Sequence, residues 1–506
     1  MGQEENGSER MRQLVEMAYG SGRGWQSPQT GYIHFSYNQL DEDYHHPIPV
    51  YENMLFALAL MRSRSVENIN EAKDILGRLL HFQNEIEGFA EGNFPVYLHE
   101  YPHCRDRQLA VQLIPVFYWM YKNFHHVLGA DLKQRLEKAL KSVLAFSLKT
   151  HNDREMSYPQ GMKIAAGHIA AGRILECKVI EEEGNKLLSG YAEMNKPNTS
   201  ILMPAWVTPS GIADLLLAFQ MIYPSISKSP EESFWTHLKN TWHAETEAYC
   251  GPGWHESQRG SDPQPTLYDY FLGYFSGKCS YRSFLDSPVQ LQAILVHPSV
   301  DEIQGVEYPL QFQGNIENCS WLVQQNQRYA YSLIVKPLEF SHAAEKAFHT
   351  LKLLWGQGCT IHSMVYQPTE VAKVDIWKEG GKDGETIILY VTLDPVLPNE
   401  KNQEISLFID KAEGLQTKVR GSFSSTFQMG DTINLSDEMI EIELSFNLQE
   451  GSGQFFGHIM RGNRPSQIDL KGQKRFNAYD TQLFLRSIRR DEHCMIKVSI
   501  KLNVKE

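Results

Sequence analysis

Apolar residues fall into helix-length blocks over roughly the first 280 positions, and beyond about residue 300 the alternation shortens from a period of 3.6 to a period of 2. Two kinds of helical block alternate. Val50–Met61, Leu109–Tyr121, Ile164–Leu175, Ile212–Ile222 and Leu267–Phe275 are apolar on most faces, the pattern of a helix buried on both sides. Asn68–Asn84, Asp131–Leu148, Glu176–Glu193 and Glu231–Tyr249 are amphipathic and charged, with leucines at 132, 136 and 140 lining one face of the second. Each apolar block follows a polar loop and a proline. These prolines, at 49, 102, 159, 209 and 265, are spaced by 53, 57, 50 and 56 residues. A near-constant period of this size predicts stacked supersecondary units. Inner and outer helices in alternation predict an (α/α) toroid of about five pairs, with a helix over Glu9–Ala18 as the first outer element and Val289–Leu295 as half of a sixth pair.

The period-2 segments include RYAYSLIV, EVAKVDIW, TIILYVTL, EISLFI, MIEIELSF and CMIKVSIKL, with turn signals at Gly380-Gly381 and Gly451-Ser452-Gly453. About fifteen short strands predict a large antiparallel β-sandwich. The chain therefore reads as an α+β protein, a toroid over residues 1–285 followed by a sandwich over 286–506.

Composition removes several function classes. A net charge of −13 disfavours non-specific binding of nucleic acid. Seven scattered cysteines without a CxxC pair predict reduced, buried thiols. No apolar run reaches the roughly 18 residues of a membrane span, and the N-terminus has no apolar stretch of signal-peptide length. As it stands the chain is expected to be cytoplasmic, or secreted or periplasmic if a leader has been removed.

Candidate chemistry gathers in the loops that lead into the apolar helices. Residues 93–107, NFPVYLHEYPHCRDR, carry Tyr97, His99, Glu100, Tyr101, His103, Cys104, Arg105, Asp106 and Arg107. Other loops contribute Tyr37, Asn38, Tyr44, His45 and His46, then His151, Asn152, Tyr158 and Gln160, then Trp206, and finally Trp254, His255, Glu256, Gln258, Arg259 and Asp262. All are expected at one rim, because loops on a rigid scaffold commonly carry function. In the β half, His458, Arg461, Asn463, Arg464 and Gln467 lie close together, and arginine forks suit carboxylates and sulfates. His99, His103 and Cys104 have zinc-ligand types at workable spacing, but a site needs three or four ligands and the rest are not evident, so no cofactor is expected. His168, Trp119, Trp235 and Trp242 lie within helices and read as core.

A toroid followed by an antiparallel sandwich resembles the (α/α)-toroid polysaccharide lyases, including the heparinase II/III-like and chondroitin-lyase-like groups. The resemblance is one of architecture and covers nearly the whole chain. It implies β-elimination on a uronate glycan. That chemistry needs a neutralised carboxylate, a Tyr or neutral His to take the C5 proton, and a Tyr or His to protonate the leaving oxygen. His99 or His103 fits the base, Tyr101 or Tyr97 the acid, and Arg105 the carboxylate, with Tyr158 and His255 as competitors from neighbouring loops. Trp206 and Trp254 suit sugar stacking. Tyr97, His103, Glu256, Arg259, Arg461, Asn463 and Arg464 complete the expected substrate contacts. Two alternatives remain open: a glycoside hydrolase using two facing carboxylates, for which Glu100, Asp106, Glu256 and Asp262 are on suitable loops, and a carbohydrate-binding protein that turns nothing over.

Overall fold

The computed structural model describes residues 2–37, 47–153, 158–194, 209–223, 232–246, 248–251, 267–276, 288–297, 306–316, 319–334, 350–357, 362–367, 372–381, 384–393, 403–410, 414–461 and 480–505. The chain divides into two compact units. One holds residues 1–236 and 265–304, the other 237–264 and 305–506.

The first unit is helical. Its helices are α1 (Gly2–Trp25), α2 (Val50–Arg62), α3 (Val66–Leu79), α4 (Gln108–Phe124), α5 (Ala130–Asp153), α6 (Tyr158–Ile174), α7 (Lys178–Met194), α8 (Pro209–Ile222), α9 (Glu232–Asn240), which runs on into the second unit, and α10 (Leu267–Ser276). The apolar helices pack in sequence, α2 on α4, α4 on α6, α6 on α8 and α8 on α10. A 3-10 helix over Val289–Leu295 contacts both α10 and α2 and closes the ring. The inner helices are apolar because they have neighbours on every side. In α2 each residue from Glu52 to Met61 is buried. In α5 only one stripe is, with Leu136 and Leu140 fully inaccessible. Close approach also requires missing side chains. A Cβ on Gly172 of α6 would lie 2.5 Å from the backbone nitrogen of Glu181 in α7, and one on Gly184 would lie 2.7 Å from that of Ile169.

One end of the ring is sealed by residues 294–297. Arg62, at the C-terminal end of α2, donates to the carbonyls of Ile294 at 2.5 Å and Val296 at 3.0 Å. Gln220, near the end of α8, donates to the Leu295 carbonyl at 2.7 Å and accepts from the His297 backbone N–H at 3.0 Å. The His297 ring stacks on Trp119 of α4 at 4.0 Å. Open chemistry is therefore to be sought at the opposite, N-terminal ends of the inner helices.

The second unit is antiparallel β. After a hairpin of β1 (Trp242–His243) and β2 (Ala248–Tyr249) come β3 (Leu310–Ile316), β4 (Cys319–Gln325), β5 (Tyr329–Ile334), β6 (Leu351–Trp355), β7 (His362–Gln367), β8 (Ala372–Gly381), β9 (Gly384–Leu393), β10 (Gln403–Asp410), β11 (Gln416–Val419), β12 (Thr426–Gln428), β13 (Thr432–Ser436), β14 (Ile440–Glu450), β15 (Gly453–Arg461), β16 (Thr481–Arg490) and β17 (Cys494–Val504). Nine pair in the order β12-β15-β16-β10-β7-β6-β5-β4-β3, and six in the order β11-β13-β14-β17-β9-β8. Strict alternation in β14 and β17 sends Ile440, Ile442, Leu444, Ile496, Val498 and Ile500 into one core, shared with Leu407, Tyr331 and Leu485 of the larger sheet.

The amphipathic block over Glu231–Tyr249 does not continue as helix past Asn240. Beyond that point the chain is claimed by the β unit. The Asn240 carbonyl accepts from Gln325 at 2.7 Å, His243 donates through Nε2 to the Asn326 carbonyl at 2.8 Å, and the Tyr249 carbonyl accepts from Lys352 at 2.7 Å.

Candidate active site

The loop that follows α1 and the loop that precedes α4 are laced together over the start of α2. Pro49 bridges Tyr97, the Val50 N–H donates to the Val96 carbonyl at 2.9 Å, and the Leu98 N–H to the Ile48 carbonyl at 3.0 Å. Buried Asn53 of α2 holds the other side. Its amide donates to the carbonyls of Pro49 at 2.7 Å and Ile33 at 3.0 Å and accepts from the Ile33 N–H at 2.8 Å. Replacing Asn53 by Ala strands these groups in an apolar interior, so a loss of about 2–4 kcal/mol is expected in urea unfolding. An unchanged midpoint would show that the loop is held by other means.

This lacing brings Tyr37, Glu52, Tyr97 and His99 together. The Tyr37 hydroxyl donates to Glu52 Oε2 at 2.5 Å, and the Tyr37 backbone N–H donates to the Tyr97 hydroxyl at 2.8 Å. The Tyr97 ring stacks on the exposed His99 ring with centroids 5.6 Å apart. Burial raises the Glu52 carboxyl to about 7, partly offset by the Tyr37 hydroxyl. Desolvation also raises the phenols of Tyr37 and Tyr97, the former further because a carboxylate faces it. Both phenols are proton-bearing at neutral pH.

A second group of polar side chains sits within the inner helices. Lys163 of α6 donates to Asp214 Oδ1 of α8 at 2.5 Å, with the lysine side chain 5% and the aspartate 25% exposed. Gln160 of α6 donates to Gln108 of α4 at 2.6 Å. The Tyr51 phenol of α2 is raised first by desolvation, then by the carboxylates of Glu52 and Asp214. These contacts join residues near the first turns of α2, α4, α6 and α8, so the N-terminal ends of the four helices lie together. The positive ends of four helix dipoles converge there.

The structure uses much of the polar 93–107 loop for its own architecture. Glu100 Oε2 accepts from the Tyr97 N–H at 3.2 Å, closing a 3-10 turn over Leu98–Glu100. Asp106 Oδ1 accepts from the N–H groups of Gln108 at 2.7 Å and Leu109 at 3.0 Å, capping α4. Asn93 donates to the carbonyls of Cys104 and Asp106. Arg107 lies over the Phe89 ring, and Tyr101 packs edge-on against Phe82. His103 and Arg105 are exposed. Cys104 is buried, and burial pushes its thiol up to about 11. Among the described residues no group of three or more His, Cys, Asp or Glu is placed to hold a metal ion.

Tyr158 is buried at the start of α6. His168 is buried within the same helix and donates through Nδ1 to the Ile164 carbonyl at 2.9 Å, the core role expected of it. Arg461 is exposed at the end of β15, opposite Thr481. Trp206, Trp254, His255, Glu256, Arg259, Asp262, Asn463 and Arg464 lie outside the described residues. The sequence reading passed over Tyr51, Glu52, Lys163 and Asp214. The signal for three of them was present: Glu52, Lys163 and Asp214 are each a charged side chain near the start of an otherwise apolar helix, with Tyr51 beside Glu52 on α2.

The sequence matches no protein-family model and no curated protein. Among solved structures it is similar to the Streptomyces coelicolor A3 chondroitin AC lyase in complex with chondroitin sulphate, with a TM-score of 0.52, 7% identity, and coverage of 98% of this chain and 79% of that one. A tyrosine-to-alanine mutant of that enzyme gives 0.47 at 8% identity over the same shares. A chondroitinase AC lyase studied as oligosaccharide complexes gives 0.39 at 8% identity, covering 97% of this chain and 82% of that one. The first of these shows the fold: a helical toroid followed by antiparallel sheets, as in the chondroitin AC lyases. Among the described residues no helix is long and apolar enough to cross a membrane.

Proposed function

We propose that this chain is a polysaccharide lyase that cleaves a uronate-containing glycan by β-elimination at the rim formed by the starts of α2, α4, α6 and α8. The observation that carries the reading is the stacked Tyr97–His99 pair on a loop pinned to α2, beside Tyr37 and Glu52. His99 takes the C5 proton of the uronate. The C5–H electron pair forms the C4=C5 double bond, the C4–O4 bond breaks, and the Tyr97 hydroxyl gives its proton to the leaving oxygen. The His99 imidazolium then gives its proton to solvent, and the Tyr97 phenolate takes one back. Arg105, on the same loop, is the cation assigned to the uronate carboxylate, and Tyr101, His103 and Tyr158 take flanking positions. The similarity to a lyase solved with chondroitin sulphate supports the reaction class and makes a chondroitin chain the first substrate to try.

The test is ultraviolet absorbance against a panel of chondroitin, hyaluronan, heparan, alginate and pectin. β-Elimination leaves a conjugated 4,5-unsaturated uronate that absorbs, and hydrolysis leaves none. A rise on one polymer is the expected result. A flat trace across the panel, with new reducing ends on any glycan, would replace elimination by hydrolysis.

One observation favours that second reading. Glu52, raised to about 7 by burial, and Asp214, ion-paired with Lys163, are two carboxyl groups in unlike environments near one tyrosine, and inverting glycosidases use such a pair as acid and base. The carboxylates expected for hydrolysis from the loop, Glu100 and Asp106, are committed to backbone N–H groups.

A further inference from the structure

The Lys163–Asp214 pair has no packing rationale. Around it on α8, Ile212, Leu215, Leu216 and Leu217 are buried apolar residues. A well-packed apolar pair in place of a buried ion pair is commonly as stable or more so. The two partners are also unequally placed. The ammonium is sealed in, at 5% exposure, while the carboxylate keeps 25%. Among the described residues only Oδ1 of Asp214 is hydrogen-bonded, to Lys163. The pair thus presents an anchored carboxylate to its open side, next to Tyr51, which lies within electrostatic reach of both Asp214 and Glu52.

An ionised carboxylate fixed by one oxygen accepts a hydrogen bond from a hydroxyl and repels a sulfate or a second carboxylate. We infer that Asp214 is a specificity-determining residue that accepts a hydrogen bond from a free sugar hydroxyl and excludes a sulfated sugar from this position, with Lys163 as the residue that orients it. The inference rests on the toroid rim being the glycan site proposed above. It names the substrate class more narrowly, as a glycan unsulfated on the sugar unit that meets α8.

The test compares unsulfated chondroitin with chondroitin sulphate, by kcat/KM from ultraviolet absorbance and by calorimetric Kd. The wild type is expected to prefer the unsulfated polymer by about tenfold or more, since a site built to bond a hydroxyl discriminates strongly. Asp214→Asn removes the charge and turns one acceptor oxygen into an amide donor, and is expected to bring the ratio near one. Because that change leaves Lys163 without its charge partner, the double variant Lys163→Met with Asp214→Leu serves as a folded companion lacking the acceptor, and the same loss of preference is expected. An unaltered preference in both variants overturns the inference, as does a wild type that shows no preference or binds neither polymer. An equal fall in kcat on both polymers also overturns it, by making Asp214 part of the chemistry. Preference in binding that the variants lose, without unsaturated product from either polymer, upholds it while the lyase reading falls.

Discussion

His99→Ala is expected to lower kcat for β-elimination by about 10²–10⁴-fold, the range general acid–base groups contribute, with KM changed only a few-fold. Tyr97→Phe is expected to fall in the same range. The two replacements are informative together because they perturb the fold differently. His99 is exposed and its ring packs on Tyr97, so its removal leaves the lacing of the loop to α2 in place. Tyr97→Phe keeps the stacked ring and removes only the hydroxyl, which accepts the Tyr37 N–H. That loss costs about 1 kcal/mol of stability and leaves a folded enzyme. If the two groups act in one proton path, the double variant is no slower than the worse single one, because residues acting as a unit are not additive. Tyr101→Phe is the control: its ring packs on Phe82, and a change of less than about threefold is expected. The measurement is the initial rate of unsaturated uronate formation at saturating polymer. A His99→Ala variant with wild-type kcat would remove His99 from the mechanism, and a slow Tyr101→Phe beside a normal Tyr97→Phe would move the acid along the loop.

The apolar helices were legible because burial on every side leaves no polar face; four of the five blocks lie within α2, α4, α8 and α10, and Ile164–Leu175 runs one residue past the end of α6. Helix ends were less legible where tertiary contacts override local preference. The first outer helix is expected over Glu9–Ala18, yet α1 runs from Gly2 to Trp25, through Gly22, which lies against the Phe56 ring of α2 where a side chain has no room. The end of α9 was misread for the converse reason, because hydrogen bonds from distant strands draw the chain away from helix at Asn240. The polar loop over 93–107 is bonded to the start of α2, and much of its polarity is architectural. Glu100, Asp106 and Arg107 serve the loop's own backbone and packing. The sharper signal was sparse: Glu52, Lys163 and Asp214 each stand nearly alone in an apolar helix, where a charge is costly unless it has a partner. Their partners are distant in sequence, so the contacts of Lys163 with Asp214 and of Glu52 with Tyr37 become visible only in three dimensions.

Glu52→Gln is expected to stabilise the protein at alkaline pH and to flatten its dependence on pH. In the folded chain burial raises the Glu52 carboxyl from its ordinary 4.5 to about 7. Between those values the native state holds a proton that the unfolded chain has released, so stability falls as pH rises through the interval and levels off above about 7. Below about 4.5 the group is neutral in both states and its full contribution is present. The interval corresponds to a loss on the order of 3 kcal/mol on going from acid to about pH 8. Glutamine is neutral throughout and keeps a carbonyl oxygen for the Tyr37 hydroxyl, so the variant should lack that loss and exceed the wild type by about 1–3 kcal/mol at the upper pH. Tyr37→Phe should act in the opposite sense. Its hydroxyl lowers the Glu52 pKa, so removing it extends the fall in stability to higher pH. Urea unfolding of the three proteins across this range reads both effects. Parallel curves for wild type and Glu52→Gln would mean that the Glu52 carboxyl titrates alike in the folded and unfolded chain, and the role of a neutral carboxyl beside Tyr37, with the hydrolytic acid it would supply, would be withdrawn.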